Sequence, residues 1–526
     1  MRRLSVACAG VMLLCAAARL AAGEFTTEPY LQNPGRTEMT LKWASAEKAE
    51  FKVRYGAGDR RDQEAPVGEC REVPWKDWPG GHRPADAPPA AKPTEERKAY
   101  IYKAVLTGLP AGSACGYEVT CGAARAGGTF RTVPEQPAPF TFIAYGDNRT
   151  DAEAHRKVAA RFAAHGPAFI IHTGDMVSDG AYPEWQPQFF APLREVLRGV
   201  PLWPALGNHD GDYRKYFAVP AGGQGLWYSF DYGDAHFVSL DTMSDKPDML
   251  GWCGRDLAGS KARWKIAFYH LPSYDVGSHG TRWGLKNYLP IFRKHGLDLV
   301  FSGHTHSYQR FKPLFTRGEN EAHPITHVVA AGGGAPLHAV AQQDSFLAAS
   351  AESHHYLVVT VDAERLAAKT FAPDGRELDS FELVKKDGAL APEVLKAAVA
   401  EDDFDVIRKL IRPYLRDLKL EGPVRAGQAG KVRFKLGAGE KAAKFTVAIE
   451  SRAERHYRMP AVSGEIPAGG AAEVELAPQL REAAPYRDGK EPLPPLMIEC
   501  TVDIGGWRTG LLAMVREAGA AEAPAQ

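Results

Sequence analysis

The sequence predicts a multidomain protein: an N-terminal β-sandwich, a central α/β domain of layered mixed β-sheets flanked by helices, and a C-terminal helix followed by a second β-sandwich. Three observations predict it. At 526 residues the chain exceeds what one hydrophobic core holds. Its first and last portions carry short alternating apolar segments separated by turn residues, the pattern of half-buried strands. Its middle instead interleaves continuous apolar runs with helical periodicity, the pattern of sheets covered by helices.

In chain order, residues 1–23 read as a secretory signal, with Arg2 and Arg3, an apolar stretch over 4–18, and Ala21, Ala22 and Gly23 at the cleavage point. The stretch is short and Arg19 interrupts it, which argues against an anchor. No later run is apolar enough to span a bilayer, so a secreted or periplasmic protein without a transmembrane segment is expected. Removal of the signal leaves Cys70, Cys115, Cys121, Cys253 and Cys500, an odd set in which at least one thiol lacks an intrachain partner. Cys115 and Cys121 lie too far apart along one strand to bond each other, and a bridge from Cys70 to one of them stays open. Lys+Arg and Asp+Glu both number 64, so no global footprint for nucleic acid exists and no specific nucleic-acid surface is expected. The oligomeric state stays open.

The first domain spans residues 24–133. Segments 37–43 (TEMTLKW), 49–55 (AEFKVRY), 98–106 (KAYIYKAVL) and 115–121 alternate as strands do. The stretch 73–93, dense in Pro and carrying Trp75 and Trp78, breaks the pattern and is expected to be a surface loop. A Pro-rich linker over 133–139 leads into the central domain, 138–385. Helical patterns there cover 152–165, 187–197 and 285–295. Residues 227–241 (WYSFDYGDAHFVSLD) read as a hairpin turned at Gly233, and 326–331 and 356–361 as further strands, so the sheet is mixed and open to doubling. In the last region, 386–526, residues 391–418 have helical periodicity. Alternating segments follow at 431–436, 444–449, 472–476 and 496–504, and none of this region carries a catalytic constellation.

The chemistry lies in five stretches of the central domain: 140–147 (FTFIAYGD), 168–175 (AFIIHTGD), 200–210 (VPLWPALGNHD), 265–270 (KIAFYH) and 297–306 (LDLVFSGHTH). Each has the length and composition of a buried strand, and each ends in Asp, Asn or His. Ligands at the carboxyl ends of strands in an α/β sheet converge on one edge. Asp147 and Asp175 are hard oxygen donors, Asn208 offers a carbonyl oxygen, and His270, His304 and His306 are imidazoles. Such a mixed set suits Zn, Mn or Fe rather than calcium. So many donors on one edge fit two ions sharing a carboxylate, a pair that activates water for displacement at phosphorus.

The series GD, GD, GNHD, H and GHTH resembles the calcineurin-like metallophosphoesterase superfamily, and the opening EPYLQ with the leading sandwich resembles its purple acid phosphatase branch, which carries a fibronectin-III-like domain there. The resemblance covers roughly residues 24–385. It implies a secreted phosphoesterase acting through hydroxide held by two metal ions on a phosphorylated substrate, acid phosphatase-like, with a phosphodiesterase of the same superfamily or a binding module with a degenerate metal site as alternatives. Asp175 would bridge the ions, Asp147 and His306 would hold the first, and Asn208, His270 and His304 the second. His209 would protonate the leaving oxygen with Asp210 orienting it, and His279 would face the substrate. Two positions depart from the family. The purple enzymes carry a Tyr where this chain has Ser178, so no tyrosinate colour is expected. The wider superfamily often carries a His where this chain has Arg149, a guanidinium that cannot ligate a cation and suits a phosphate oxygen instead. Water, Ser178 or His155 is left to complete the first ion.

Other features read blandly. His165, His172 and His295 stay unassigned, and His236 is expected to pack within its hairpin. Gly332, Gly333 and Gly334 are not followed by Lys and Ser or Thr, which favours a tight turn near the site over a phosphate loop. Tyr308 and Arg310 either line the cleft or begin the next strand.

Overall fold

The structure is a computed structural model that describes residues 24–75, 97–220, 225–244, 246–277, 281–317, 323–338, 340, 346–401, 413–421, 424, 429–438, 442–449, 457–480, 496–504 and 507–515. The signal-like segment, most of the Pro-rich stretch after Trp75, and His279 lie outside the described residues.

Two sheets form the first domain. One contains β1 (Phe25–Gln32), β2 (Met39–Ser45), β5 (Val67–Trp75) and β6 (Arg97–Leu106); the other contains β3 (Lys52–Ala57), β4 (Gln63–Ala65), β7 (Ala114–Cys121) and β8 (Ala124–Arg131). Leu41, Trp43, Val53, Tyr117 and Val119 fill the space between them, which is the predicted sandwich. Its four expected strands are present, and β1, β4, β5 and β8 add to them. β8 has little strand propensity of its own (ARAGGTFR) and is held by its full-length pairing with β7. The five cysteines are all free, so the open bridge from Cys70 is not formed.

In the central domain β9 (Phe140–Tyr145), β10 (Phe169–His172) and β11 (Leu202–Pro204) run parallel. Gln32 of β1 pairs in parallel with Leu202, so one eleven-stranded sheet crosses the boundary between the domains. A second sheet of seven strands contains β12 (Tyr228–Tyr232), β13 (Ala235–Ser239), β14 (Trp264–Tyr269), β15 (Leu299–Ser302) and β16 (Tyr308–Phe311). Past β17 (Leu314–Phe315), which pairs elsewhere, it is completed by β18 (Thr326–Ala330) and β19 (Leu347–Ala351). The chain then returns to the first sheet with β20 (Tyr356–Val361), β21 (Arg365–Phe371), β22 (Glu377–Lys386) and β23 (Ala389–Leu390).

The sheet is thus doubled, and the alternation along each strand explains the layers. Phe140, Phe142 and Ala144 of β9 point into a core shared with Phe237, Phe268 and Phe301 of the second sheet. Ile143 and Tyr145 point the other way, onto the helices Ala152–Ala159 and Ala191–Leu197. Helices Pro247–Gly259 and Tyr288–Lys294 cover the outer face of the second sheet. Both faces of the parallel strands are buried, which is why they read as unbroken apolar runs. Where β14, β15 and β22 meet, buried Asp298 pairs with Lys385 at 2.8 Å and accepts from the Lys265 amide.

One expectation fails in the last region. Of the helical pattern over 391–418, the described residues include the short helix Pro392–Ala397, residues 402–412 lie outside the described ones, and residues 413–421 form a strand where the pattern predicts helix. The reason is a β-bulge: Asp417 has φ 58°, and the pairing register slips between Arg416 and Lys419. The extra residue brings Leu415, Leu418 and Leu420 all toward one core, giving a spacing of three that mimics a helical turn. With this strand, the last region makes a three-stranded and a four-stranded sheet around Val432, Phe434, Val447, Ile498 and Val502, as expected of a second sandwich, and a separate two-stranded pair.

His236 does pack in its hairpin strand, and also carries charge. Its ring nitrogens lie 2.7 Å from Asp231 Oδ1 and 2.8 Å from Asp256 Oδ2. Burial opposes protonation, but the two carboxylates outweigh it and raise the imidazole to about 9. Because the folded value exceeds the unfolded one near 6.5, this stabilisation is complete below about pH 6.5 and is lost as pH rises through 9. Allowing for the solvent exposure of Asp231, it amounts to about 2 kcal/mol. Thermal melts from pH 6 to 10 should therefore show a decline that His236→Gln abolishes; parallel curves for the two proteins would refute it.

Candidate metal centre

β9, β10 and β11 of the first sheet and β14 and β15 of the second end at one edge, and the loops that follow carry the predicted donors. Asp147, Asp175 and His304 have φ of 57°, 57° and 72°, a left-handed conformation that costs free energy outside glycine. The surrounding backbone holds them in it. The Asp147 amide donates to Gly174 O at 2.9 Å, and the His304 amide donates to the Asp147 carboxylate at 2.9 Å. Two glycines allow the loops to meet: a Cβ on Gly207 would lie 2.1 Å from the Asp175 nitrogen, and one on Gly174 would lie 2.8 Å from Gly207.

All six donors are brought together. Ligand atoms of Asp147, Asp175 and His306 lie within 4.8 Å of one another. His306 gives its Nδ1 hydrogen to Pro336 O at 2.7 Å, leaving Nε2 facing Asp147 Oδ1 at 3.6 Å. On the other side of Asp175, His270 Nε2 lies 3.3 Å from Asp175 Oδ1 and 2.8 Å from Asn208 Oδ1. His304 Nδ1 lies 3.1 Å from the same Asn208 oxygen. His270 donates Nδ1–H to Thr173 O at 2.9 Å, and burial keeps the ring neutral. Its Nε2 and the Asn208 oxygen then face each other as two acceptors, an arrangement that a cation between them satisfies.

The electrostatics agree. Burial, and then the charge of Asp175, push the Asp147 carboxyl well above the ordinary range. Burial also opposes ionisation of Asp175, yet its basic neighbours, the Arg149 guanidinium at 3.2 Å among them, hold it below that range. Buried carboxylates this close resist ionising together unless positive charge lies between them. The donor set fits a divalent or trivalent metal.

Residues 140–308 match the family model described as Calcineurin-like phosphoesterase. That match lies within the central domain and spans every one of the six candidate donors. Over 185 residues the chain is 29% identical to Acid phosphatase type 7 of Mus musculus, covering 28% of this chain and 41% of that protein. Over 221 residues it is 28% identical to Purple acid phosphatase 23 of Arabidopsis thaliana, covering 37% and 47%. The chain thus spans less than half the length of these relatives. The structure of a purple acid phosphatase from yellow lupin (Lupinus luteus) seeds shares the fold, with TM-score 0.56 and 19% identity over 70% of this chain and 75% of that one.

Around the phosphoesterase centre, Arg149 reaches inward and donates from Nε to Asp175 Oδ2 at 3.2 Å. His209 gives its Nδ1 hydrogen to Ser178 O at 2.5 Å, and its Nε2 lies 4.0 Å from Asp175 Oδ2. Asp210 departs from the orienting role expected of it. Its carboxylate accepts from the amides of Asp175 (2.9 Å), Met176 (2.7 Å) and Gly207 (2.8 Å), so it ties the loop after β10 to the loop after β11, while a carbonyl orients His209. Burial and the neighbouring Asp175 raise Asp210 to about 7 despite these donors.

Neither residue left to complete the first ion is disposed to do so. Ser178 Oγ donates to Gln188 Oε1 at 3.1 Å; His155 uses Nδ1 on Gln188 O at 2.8 Å and Nε2 on Tyr145 Oη at 3.1 Å. Gln188 and Asn148 organise a buried layer behind the phosphoesterase loops. Asn148 donates to Met176 O and Gln188 O and faces His172 Nε2 at 2.7 Å. Asp275 holds Thr305 Oγ1 at 2.8 Å, between His304 and His306. His338 stacks on His306 with ring centroids 4.0 Å apart. Asn148, Gln188, Asp275 and His338 had no strand-end signature by which the sequence could show them. The glycine run is a turn against the site: Gly333 N donates to Gly146 O at 2.8 Å, and a Cβ there would lie 2.5 Å from that oxygen. Tyr308 and Arg310 begin β16, both bonded to Asp379.

Proposed function

We propose that the chain is a secreted, metal-dependent phosphoesterase that hydrolyses phosphate esters in the manner of the acid phosphatases. One observation carries this reading: two groups of donors, Asp147 with His306 and Asn208 with His270 and His304, meet at the single carboxylate of Asp175. These residues would hold two ions, of Fe, Zn or Mn, with Asp175 between them. Such ions supply Lewis acidity that lowers the pKa of water and offsets charge on phosphoryl oxygens. The protein's own groups do the rest. Arg149, within reach of Asp175, orients a phosphoryl oxygen. His209, its Nδ1 hydrogen fixed on Ser178 O, presents Nε2 to the cleft and passes a proton to the leaving oxygen. His279 is assigned to the substrate side from the sequence alone. No helix among the described residues is long and apolar enough to cross a membrane.

The test combines elemental analysis of purified protein with hydrolysis of p-nitrophenyl phosphate and of bis(p-nitrophenyl) phosphate, before and after chelation. Close to two ions per chain and chelator-sensitive turnover are expected, and the rate ratio assigns monoester or diester preference. Protein that stays inactive after Zn, Mn and Fe are each added would overturn the reading in favour of a binding module. His209→Ala should lower kcat about 10²- to 10⁴-fold at unchanged metal content. Loss of metal in that variant would instead place His209 among the ligands.

A further inference from the structure

Three buried side chains of the sandwich reach the segment that carries Asn208, His209 and Asp210. Tyr30 of β1 and Lys42 of β2 are direct partners across the two strands, and Gln32 lies two residues beyond Tyr30, so all three project from one face of their sheet. Leu31, Leu41 and Trp43 alternate with them and point into the sandwich core instead. Tyr30 Oη donates to Tyr216 O at 2.7 Å, and Lys42 Nζ donates to Lys215 O at 2.6 Å. These carbonyls close the four-residue helix Tyr213–Tyr216, and carbonyls at a helix end lack partners within the helix. A lysine as buried as Lys42, 5% exposed, in turn needs such an acceptor.

Gln32 holds the segment on both sides. Its backbone pairs with Leu202 at the start of β11, and its Oε1 accepts from the Ala218 amide at 2.6 Å. Between those points the chain has little slack. Gly211 N donates to His209 O at 3.0 Å, Lys215 N to Asp212 O at 2.8 Å, and Tyr213 Oη to Pro204 O at 2.6 Å. The turn also lies against the loop after β10, since a Cβ on Gly180 would lie 2.2 Å from Gly211. A shift at Lys215 or Tyr216 is therefore passed on to His209 instead of being absorbed on the way.

We propose that Tyr30, Gln32 and Lys42 are positioning residues for His209, so that the sandwich sets the geometry of proton delivery in the domain beside it. A group that hands over a proton tolerates little misplacement, and its effect grows with the basicity of the leaving oxygen. The inference rests on the phosphoesterase reading of the centre.

The experiment uses full-length protein with Tyr30→Phe and Lys42→Met, singly and together. Phenylalanine keeps the ring that packs on Phe190, and methionine keeps most of the lysine stem. Val53→Ala, which thins the sandwich core from the other sheet, is the control. Two readouts are taken: kcat and KM with metal added for phenyl phosphate and p-nitrophenyl phosphate, and amide hydrogen exchange over residues 205–217 of chelated protein. In the double variant kcat should fall about tenfold or more for phenyl phosphate, whose leaving oxygen is the more basic, and by less than about threefold for p-nitrophenyl phosphate. Metal content and KM should stay near wild type. Exchange over 205–217 should quicken about tenfold, whereas Val53→Ala should lower Tm and change neither readout. Unchanged or equally lowered kcat on the two esters, exchange indifferent to both side chains, or the same changes in Val53→Ala overturns the positioning role, while active wild-type protein upholds the phosphoesterase reading. Exchange that quickens only in the Tyr30 and Lys42 variants, in protein that turns over neither ester, upholds the hold on the segment and overturns that reading.

Discussion

Asp175→Asn is expected to abolish turnover, by at least about 10³-fold, and to lower the affinity for both ions together. Asp175 lies next to both donor groups: its ligand atoms lie within 4.8 Å of those of Asp147 and His306, and its Oδ1 is 3.3 Å from His270 Nε2. Asparagine keeps the shape and retains an oxygen for the His209 amide, which donates to Oδ1 at 3.1 Å, so the loop should still fold. It removes the negative charge that would balance two cations. Losing the Asp175 charge removes the Arg149 ion pair but relieves the buried carboxyls of Asp147 and Asp210, each raised in part by Asp175, so the metal-free variant should melt close to metal-free wild type. Elemental analysis, kcat with saturating metal and a melt of the chelated protein check the three parts. Retention of both ions with near-normal kcat would show that another group bridges them.

Asp210→Ala is expected to cost stability and metal together. Four buried amides, those of Asp175, Met176, Gly207 and, at a longer 3.4 Å, Val177, lose their acceptor. At about 1–3 kcal/mol for each unsatisfied donor, partly recovered by water entering the gap, the loss is about 3–6 kcal/mol. That corresponds to a fall in Tm on the order of 10 °C for a domain of this size. The loops carrying Asp175 and Asn208 would separate, so activity should fall through lost metal affinity. Asp210→Asn, which keeps one oxygen in place, should sit between alanine and wild type. A fall in kcat alone, with Tm and metal content unchanged, would mean that Asp210 acts through His209 after all.

The legible parts of this protein were those written in local pattern. Strands buried on both faces must be apolar along their whole length, and each of the five runs stops where Asp, Asn or His begins, so both the strands and the six donors can be read without knowing the topology. The hairpin at Gly233 was legible for the same reason, since φ there is 57° between two alternating segments. Local pattern misled where a bulge altered the count of residues, as at Asp417, and it was silent on β8, whose strand exists because β7 lies beside it.

By itself the sequence determined the layered α/β core and the order of the turns that bear the six candidate donors, because these follow from side-chain type and period. Only the tertiary structure decided how the turns are locked together. Asp210 holds amides from two separate loops, Gly207 must lack a Cβ because the Asp175 nitrogen lies where one would sit, and Asn148 and Gln188 bond backbone far along the chain. It also decided that the sandwich and the catalytic sheet are continuous through Gln32 and Leu202, and that Arg71 and Lys42 reach the loop beyond His209. Such contacts join residues that share no local period, and packing alone brings them within hydrogen-bonding distance.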